Sequence, residues 1–418
     1  MSKKKGLSLP LQILIGLIVG VIVGIMMQGN PDAANKFIKP IGTLFLNLIK
    51  LVIVPLVFSS LLIGVADLKD AKQIGKIGAK TFVYFFATTA IAIVIGLGLA
   101  NLLNVGGNFV LPADQLTYEA KEAPQFIDTL INIVPSNPLK SLVNGEMLQI
   151  IVFALFVGGG LLAAGEKGQA VFNFFDGMTD AMIHITNGIM KTAPIGVFGL
   201  IVPVIAANGP KVLLPLIRVV GIVYLGCFLH AIIVYATSIK IFAKLPVGTF
   251  FKKVFEPWAL AFTTSSSSGT LPVSLEVAQK ELGVSKPIAS FVLPLGATVN
   301  MDGTAIYQGV CALFIAQVYG LSLTPSQQLT IVLTTVLASV GTAGVPGAGM
   351  IMLAMVLQGV GIPVEGIALV AGIDRIFDMI RTSINVLGDI ACSVIVAKSE
   401  GQLDESVYRT EKKELKKA

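Results

Sequence analysis

The sequence predicts an all-α polytopic membrane protein of eight transmembrane helices plus two re-entrant helical hairpins. Its 418 residues are 54% hydrophobic and 13% charged, about half the charged share of an ordinary soluble protein. The apolar runs are continuous rather than alternating, which disfavours a barrel. At about 20 apolar residues per spanning helix, the hydrophobic content supplies roughly eight helices with enough left over for loops.

Six long segments come first, at 7–28, 41–66, 81–104, 147–165, 171–206 and 211–243, separated by polar or Pro/Gly punctuation. The first is too long for a signal-peptide core and is followed by Asn30, Pro31 and Asp32 with no A-x-A site, so it is read as helix 1. Lysines orient the set: Lys69, Lys72, Lys76 and Lys80 follow span 2, and Lys244, Lys252 and Lys253 follow span 6. The stretch 105–146 instead carries Asp114, Glu119, Glu122, Asp128 and Glu146 against Lys121 and Lys140. The positive-inside rule therefore places both termini and the basic loops in the cytoplasm, with the chain in the cell (inner) membrane. The net charge of +6, concentrated in Lys3 to Lys5, the short loops and the tail, reads as contact with an anionic membrane face rather than with nucleic acid. Cys227, Cys311 and Cys392 lie in apolar stretches without C-x-x-C spacing, so they are packing residues.

Past Pro246 the apolar runs shorten and are broken by polar clusters at 263–270, 300–304 and 341–349, and Asp302 is the single charged residue between Pro287 and Val364. Non-helical backbone at membrane depth is tolerated where it is buried in protein or lines a cavity, and paired, Gly/Pro-interrupted segments point to a transporter binding site. A weak internal repeat supports two hairpins. Ser268 to Pro272 recurs loosely as Ser339 to Thr342 with Pro346, and each tip is followed by a helix bearing an aspartate, Asp302 or Asp378.

The last span is expected as one long helix from Val364 to Ala397. Taking Asp374 as zero and about 100° per residue, Asp378 falls near 40°, Arg381 near 340°, Asn385 near 20°, Asp389 near 60° and Thr382 near 80°, with Arg375 at the edge of this stripe. A charge at the helix centre costs about 2.5–3.5 kcal/mol on insertion scales, so the stripe must face a partner, a cavity or a solute. One reading is a self-neutralising network of Arg381 with Asp378, and Arg375 with Asp374 or Asp378. It leaves Asp389 and Asp302 without cations. Such carboxylates either take up protons or hold a metal cation, and sodium or proton coupling follows. An acidic amino acid fits the remaining groups: Arg381 grips a carboxylate, Asp378 accepts from an ammonium group, and Thr382 and Asn385 satisfy the α-carboxylate.

The segments SSSSGTLP (265–272), NMDGT (300–304), GTAGVPGAG (341–349) and IDRIFDMIRTSINVLGD (373–389) resemble, in order and over nearly the whole chain, the signatures of the dicarboxylate/amino acid:cation symporter family, the glutamate transporter homologues. The resemblance implies inverted repeats and a homotrimer in which each protomer moves an elevator-like transport domain against a scaffold. Residues 1–245 would be mostly scaffold, with spans 3 and 6 joining the transport domain, 246–398 the substrate- and ion-binding core, and 399–418 a cytoplasmic tail. By similarity the substrate site would use Ser266, Ser267, Thr304, Val345, Gly349, Asp378, Arg381, Thr382 and Asn385. Sodium sites would resemble one built from Gly296, Asn300, Asn385 and Asp389, a second from Thr298, Ser339, Val340 and Thr342, and a third from Thr88, Thr89, Asn300 and Asp302. The second hairpin would gate the extracellular side. Relatives often carry a second arginine where this chain has Ser265 or Met379, and Arg375 is the auxiliary candidate. Gln308 stands where the potassium-exchanging branch is acidic, so no potassium counter-transport is expected.

The expected activity is sodium-coupled symport of L-aspartate or L-glutamate with no organic cofactor. Proton-coupled C4-dicarboxylate transport and neutral amino acid transport are alternatives on the same fold. A channel fits a closed, asymmetric charge stripe less well than alternating access does. An enzyme is disfavoured, since H-E-x-x-H, G-x-S-x-G and P-loop motifs are absent from the sequence. His184 and His230 are read as satisfied polar or interface groups, and the tyrosines of the spans as packing.

Overall fold

The computed structural model describes residues 9–66, 76–107, 131, 134–210, 213–339, 348–371 and 373–410. These residues are almost entirely helical, and their one β-type pairing is the isolated bridge between Val284 and Leu403. The first six long helices are α1 (Leu9–Met26), α2 (Lys39–Ala66), α3 (Lys76–Leu102), α4 (Met147–Ala164), α5 (Gln169–Asn208) and α6 (Leu213–His230). They follow the predicted order of segments. Helix α6 continues through π-helical turns at Ala231–Ala236 and Ile239–Ala243 and stops at Lys244, whose φ of 57° is left-handed.

Among the described residues, five stretches are long and apolar enough to cross a membrane: Pro31–Ile63, Lys76–Leu102, Gln149–Ala207, Leu214–Ala243 and Asp374–Ser399. A 3-10 turn at Gly165–Gly168 divides the third. The 40 residues of α5 extend about 60 Å at 1.5 Å per residue, twice a hydrocarbon core of about 30 Å. Helices α1 and α2 both pack along α5, and α4 packs on α2. Glycine permits the α2–α5 crossing, because a Cβ on Gly199 would sit 2.5 Å from the backbone nitrogen of Gly42.

The second half supplies the interrupted elements. Helices α7 (Val247–Thr264) and α8 (Ser267–Glu276) form a hairpin whose turn is Ser265, left-handed at φ 53°, and Ser266, whose side chain accepts from the nitrogen of Gly269 to cap α8. Helices α9 (Lys286–Val299) and α10 (Asp302–Val318) are separated by a break at Asn300 and Met301. Next come α11 (Pro325–Ser339) and α12 (Ala348–Gly359), which pack on each other. The segment between them, with Val340, Thr342 and Val345, lies outside the described residues.

The expected continuous helix 364–397 is corrected by the structure. A 3-10 turn at Val364–Gly366 and a short helix at Ile367–Ala371 precede α13 (Asp374–Ser399), and Ile373 sits at φ −110°, ψ 5°, outside helical geometry. Apolar residues run through the interruption, so periodicity alone does not reveal it. Helix α13 packs against α7, α9 and α10, while α3 packs along α10 and α6 contacts both α3 and α10.

The beginning of the tail is docked on the base of the first hairpin. Helix α14 (Glu405–Arg409) is held by Lys253, which is 2% exposed and donates to the carbonyls of Glu281 (2.7 Å), Val407 (2.9 Å) and Tyr408 (2.8 Å). The Tyr408 hydroxyl donates to Pro246 O at 3.2 Å. Nearby, Glu400 is hydrogen-bonded by Lys80 and lies 3.7 Å from Lys76, and the Lys80 bond holds its carboxyl below the usual range. Replacing Lys253 with methionine strands buried carbonyls and is expected to lower stability by about 2–4 kcal/mol. Thermal unfolding of the detergent-solubilised protein checks this, and an unmoved transition would contradict it.

Candidate functional site

Helix α13 buries its polar stripe completely. Asp374, Asp378, Arg381, Thr382, Asn385 and Asp389 are all 2–7% exposed. Arg381 donates from Nε to Asp378 Oδ1 at 2.9 Å, and from Nη1 and Nη2 to the two oxygens of Asp374 at 2.9 and 3.3 Å. Its guanidinium lies 4.7 Å from the ring centroid of Tyr307 on α10. The self-neutralising network considered from the sequence is thus present around this arginine. Gly349, at the start of α12, closes against it: a Cβ there would lie 2.3 Å from the guanidinium carbon. Thr382 Oγ1 reaches Asp378 Oδ1 at 3.4 Å.

One turn further along, Asn385 meets the break between α9 and α10. Its Oδ1 accepts from the backbone nitrogen of Gly303 at 2.8 Å, in the first turn of α10, where unpaired N–H groups favour an oxygen. Its Nδ2 lies 3.3 Å from Thr304 Oγ1, and its carbonyl accepts from Asn300 Nδ2 at 2.8 Å. Asn300 Nδ2 also donates to Asp389 Oδ1 at 2.9 Å. The other amide atom, Asn300 Oδ1, is buried with no hydrogen-bond partner among the described residues. No cation pairs with Asp389 among those residues. Gly296 backs this carboxylate, since a Cβ on it would fall 2.4 Å from Asp389 Oδ1. A buried carboxylate beside an orphaned amide oxygen is an oxygen-rich spot suited to an alkali ion.

Asp302, expected to lack a cation, is held by other donors: it accepts from Thr89 Oγ1 at 2.6 Å and from the Tyr235 hydroxyl at 2.7 Å, and lies 3.1 Å from His230 Nε2. His230 and Tyr235 are 0% exposed on α6 and its π-helical extension, and His230 Nδ1 has no partner among the described residues. Neither His230, Tyr235 nor Tyr307 belongs to the residues predicted for the site. The available signal was the rarity of polar side chains in apolar spans, since His230 and Tyr235 of span 6 lie five residues apart.

The structure brings the other predicted residues together unevenly. Ser266 and Ser267 sit at the tip of the first hairpin, with Ser267 4% exposed. Thr88 is buried and bonds Phe85 O on its own helix, as Ser339 bonds Val336 O. Thr298 is exposed and bonds Leu295 O. Arg375 Nη2 donates to the carbonyls of Thr263 and Thr264 at the end of α7, both at 3.2 Å, and its Nη1 is 3.9 Å from Asp378 Oδ2.

Long apolar helices surrounding a buried cluster of charged residues and interrupted helices define a polytopic membrane transporter. The chain belongs to the Sodium:dicarboxylate symporter family, which it matches over residues 9–399. The family consists of transporters, not enzymes. The chain is 41% identical over 409 residues to the "Proton/sodium-glutamate symport protein" of Geobacillus stearothermophilus, covering 96% of each chain. It is 36% identical over 413 residues to the "Proton/glutamate-aspartate symporter" of Escherichia coli, covering 95% of this chain and 94% of the relative. A "C4-dicarboxylate transport protein" of Bacillus subtilis is 35% identical over 383 residues, 90% of each.

Proposed function

We propose that the protein is a sodium-coupled secondary active symporter of L-aspartate and L-glutamate. The carrying observation is the sharing of one face of α13 between the buried Arg381–Asp378 pair and the cation-free Asp389 beside Asn300 Oδ1. The first pair suits a carboxylate and an ammonium group of one small molecule, and the second suits the coupling ion. In this reading an incoming side-chain carboxylate takes over the Nη donors of Arg381 from Asp374, and the ammonium takes Asp378. Thr304, Thr382, Asn385, Ser266, Ser267, Gly349 and Val345 complete the substrate site.

Sodium would bind at Gly296, Asn300, Asn385 and Asp389, with further sites at Thr298, Ser339, Val340 and Thr342 and at Thr88, Thr89, Asn300 and Asp302. The packing of α3 and α6 on α10 supports assigning them, with 246–398, to a transport domain. That domain moves elevator-fashion against the remaining scaffold of a homotrimer, with eight spans, two re-entrant hairpins and both termini cytoplasmic.

Relatives named for glutamate and for C4-dicarboxylates match at similar identity, as do relatives named for protons and for sodium. Proton-coupled dicarboxylate transport is therefore the second reading. Purified protein in liposomes, given sodium, proton or potassium gradients, is expected to take up aspartate on an inward sodium gradient. Uptake driven equally by a proton gradient without sodium, or succinate uptake exceeding that of aspartate, would reverse the order.

A further inference from the structure

Asp378 has two oxygens with different neighbours. Oδ1 is taken by Arg381 Nε at 2.9 Å and approached by Thr382 at 3.4 Å. Oδ2 accepts no hydrogen bond among the described residues, and Arg375 Nη1 lies 3.9 Å from it. That second guanidinium is not loose. Its Nη2 is fastened to the carbonyls of Thr263 and Thr264, the electron-rich end of α7, where a cation is favoured. The first hairpin thereby parks a positive charge beside the oxygen an ammonium group would use. Around the pair, Asp374 and Asp378 are balanced by Arg381 and Arg375.

We propose that Arg375 is the specificity-determining counterweight to the substrate's amino group. Held by the tip of the first hairpin, it partly neutralises Asp378 and so lets the site accept C4-dicarboxylates that lack an ammonium as well as acidic amino acids. The inference rests on the transporter reading above. Without Arg375 the pocket carries an uncompensated negative charge, which attracts an ammonium and repels a plain dianion. Charges about 4 Å apart in a partly buried site interact strongly enough to shift relative affinity by an order of magnitude.

The test is binding of labelled aspartate to the purified full chain, competed by unlabelled aspartate or succinate, for the parent, Arg375→Met and Arg375→Lys. In Arg375→Met the ratio of succinate to aspartate inhibition constants should rise by about tenfold or more. In Arg375→Lys, which keeps the charge, it should stay within about threefold of the parent. If Arg375→Met has no thermal unfolding transition, Arg375→Gln carries the same expectation. A ratio unmoved or lowered in the neutral variants overturns the proposal, as does a parent chain that succinate does not compete for at all. Loss of aspartate binding in folded Met, Gln and Lys variants alike would make Arg375 a direct substrate ligand and overturn it too. A parent chain that binds neither compound fails the transporter reading itself, whereas binding with an unmoved ratio fails this inference alone.

Discussion

Arg381→Ala is expected to abolish uptake of acidic amino acids and to weaken aspartate binding by about 30-fold or more, equivalent to about 2 kcal/mol. The guanidinium is 2% exposed and donates along three N–H directions to two carboxylates. Once it is gone, Asp374 and Asp378 remain buried together, and Arg375 at 3.9 Å from Asp378 is the nearest remaining cation. Breaking such a buried pair costs about 3–5 kcal/mol in stability, so loss of fold must be separated from loss of affinity. Arg381→Lys keeps the charge but replaces the planar fork with a point donor that cannot serve Asp374 and Asp378 in the same geometry. It should fold and bind poorly. Undiminished uptake by either variant would remove Arg381 from the substrate site.

Asp389→Asn should shift the sodium concentration for half-maximal aspartate binding upward by at least about tenfold while leaving saturating affinity less affected. The carboxylate is 3% exposed, no cation pairs with it among the described residues, and Asn300 donates to one of its oxygens. The substitution is nearly isosteric and retains an oxygen for Asn300, so the principal change is the missing charge. Titration of aspartate binding against sodium, with ionic strength held by choline, reads it directly. An unchanged sodium midpoint would place the coupling ion elsewhere.

Much of this site was legible along the chain because one helix carries most of it. The 3.6-residue period placed Asp378, Arg381, Asn385 and Asp389 on one stripe, and burial follows from the cost of charge in an apolar setting. The break at Asn300 and Met301 was announced by a polar, glycine-containing cluster in an apolar run. What stayed hidden depends on contacts between distant segments. Thr89, His230 and Tyr235 meet at Asp302 across 67–213 positions of sequence, and nothing local to span 6 says that its histidine faces a carboxylate. The interruption before Asp374 was invisible for the opposite reason, since no polar side chain between Ile367 and Ile373 marks it. The docking of 400–410 was missed because the charged tail reads as contact with an anionic membrane face, whereas the anchoring group, Lys253, lies about 150 residues upstream.

The triple attachment of Asp302 has a mechanical consequence. Sliding α10 past α3 or α6 would strip a buried carboxylate of its donors at a cost of several kcal/mol, so these contacts fasten the three helices to one another. Elsewhere the bonding is weaker. Between α2 and the approach to α13, the ion pair of Lys50 with Glu365, 35% and 60% exposed at 2.8 Å, is the kind of clasp that water releases for about 0–1 kcal/mol.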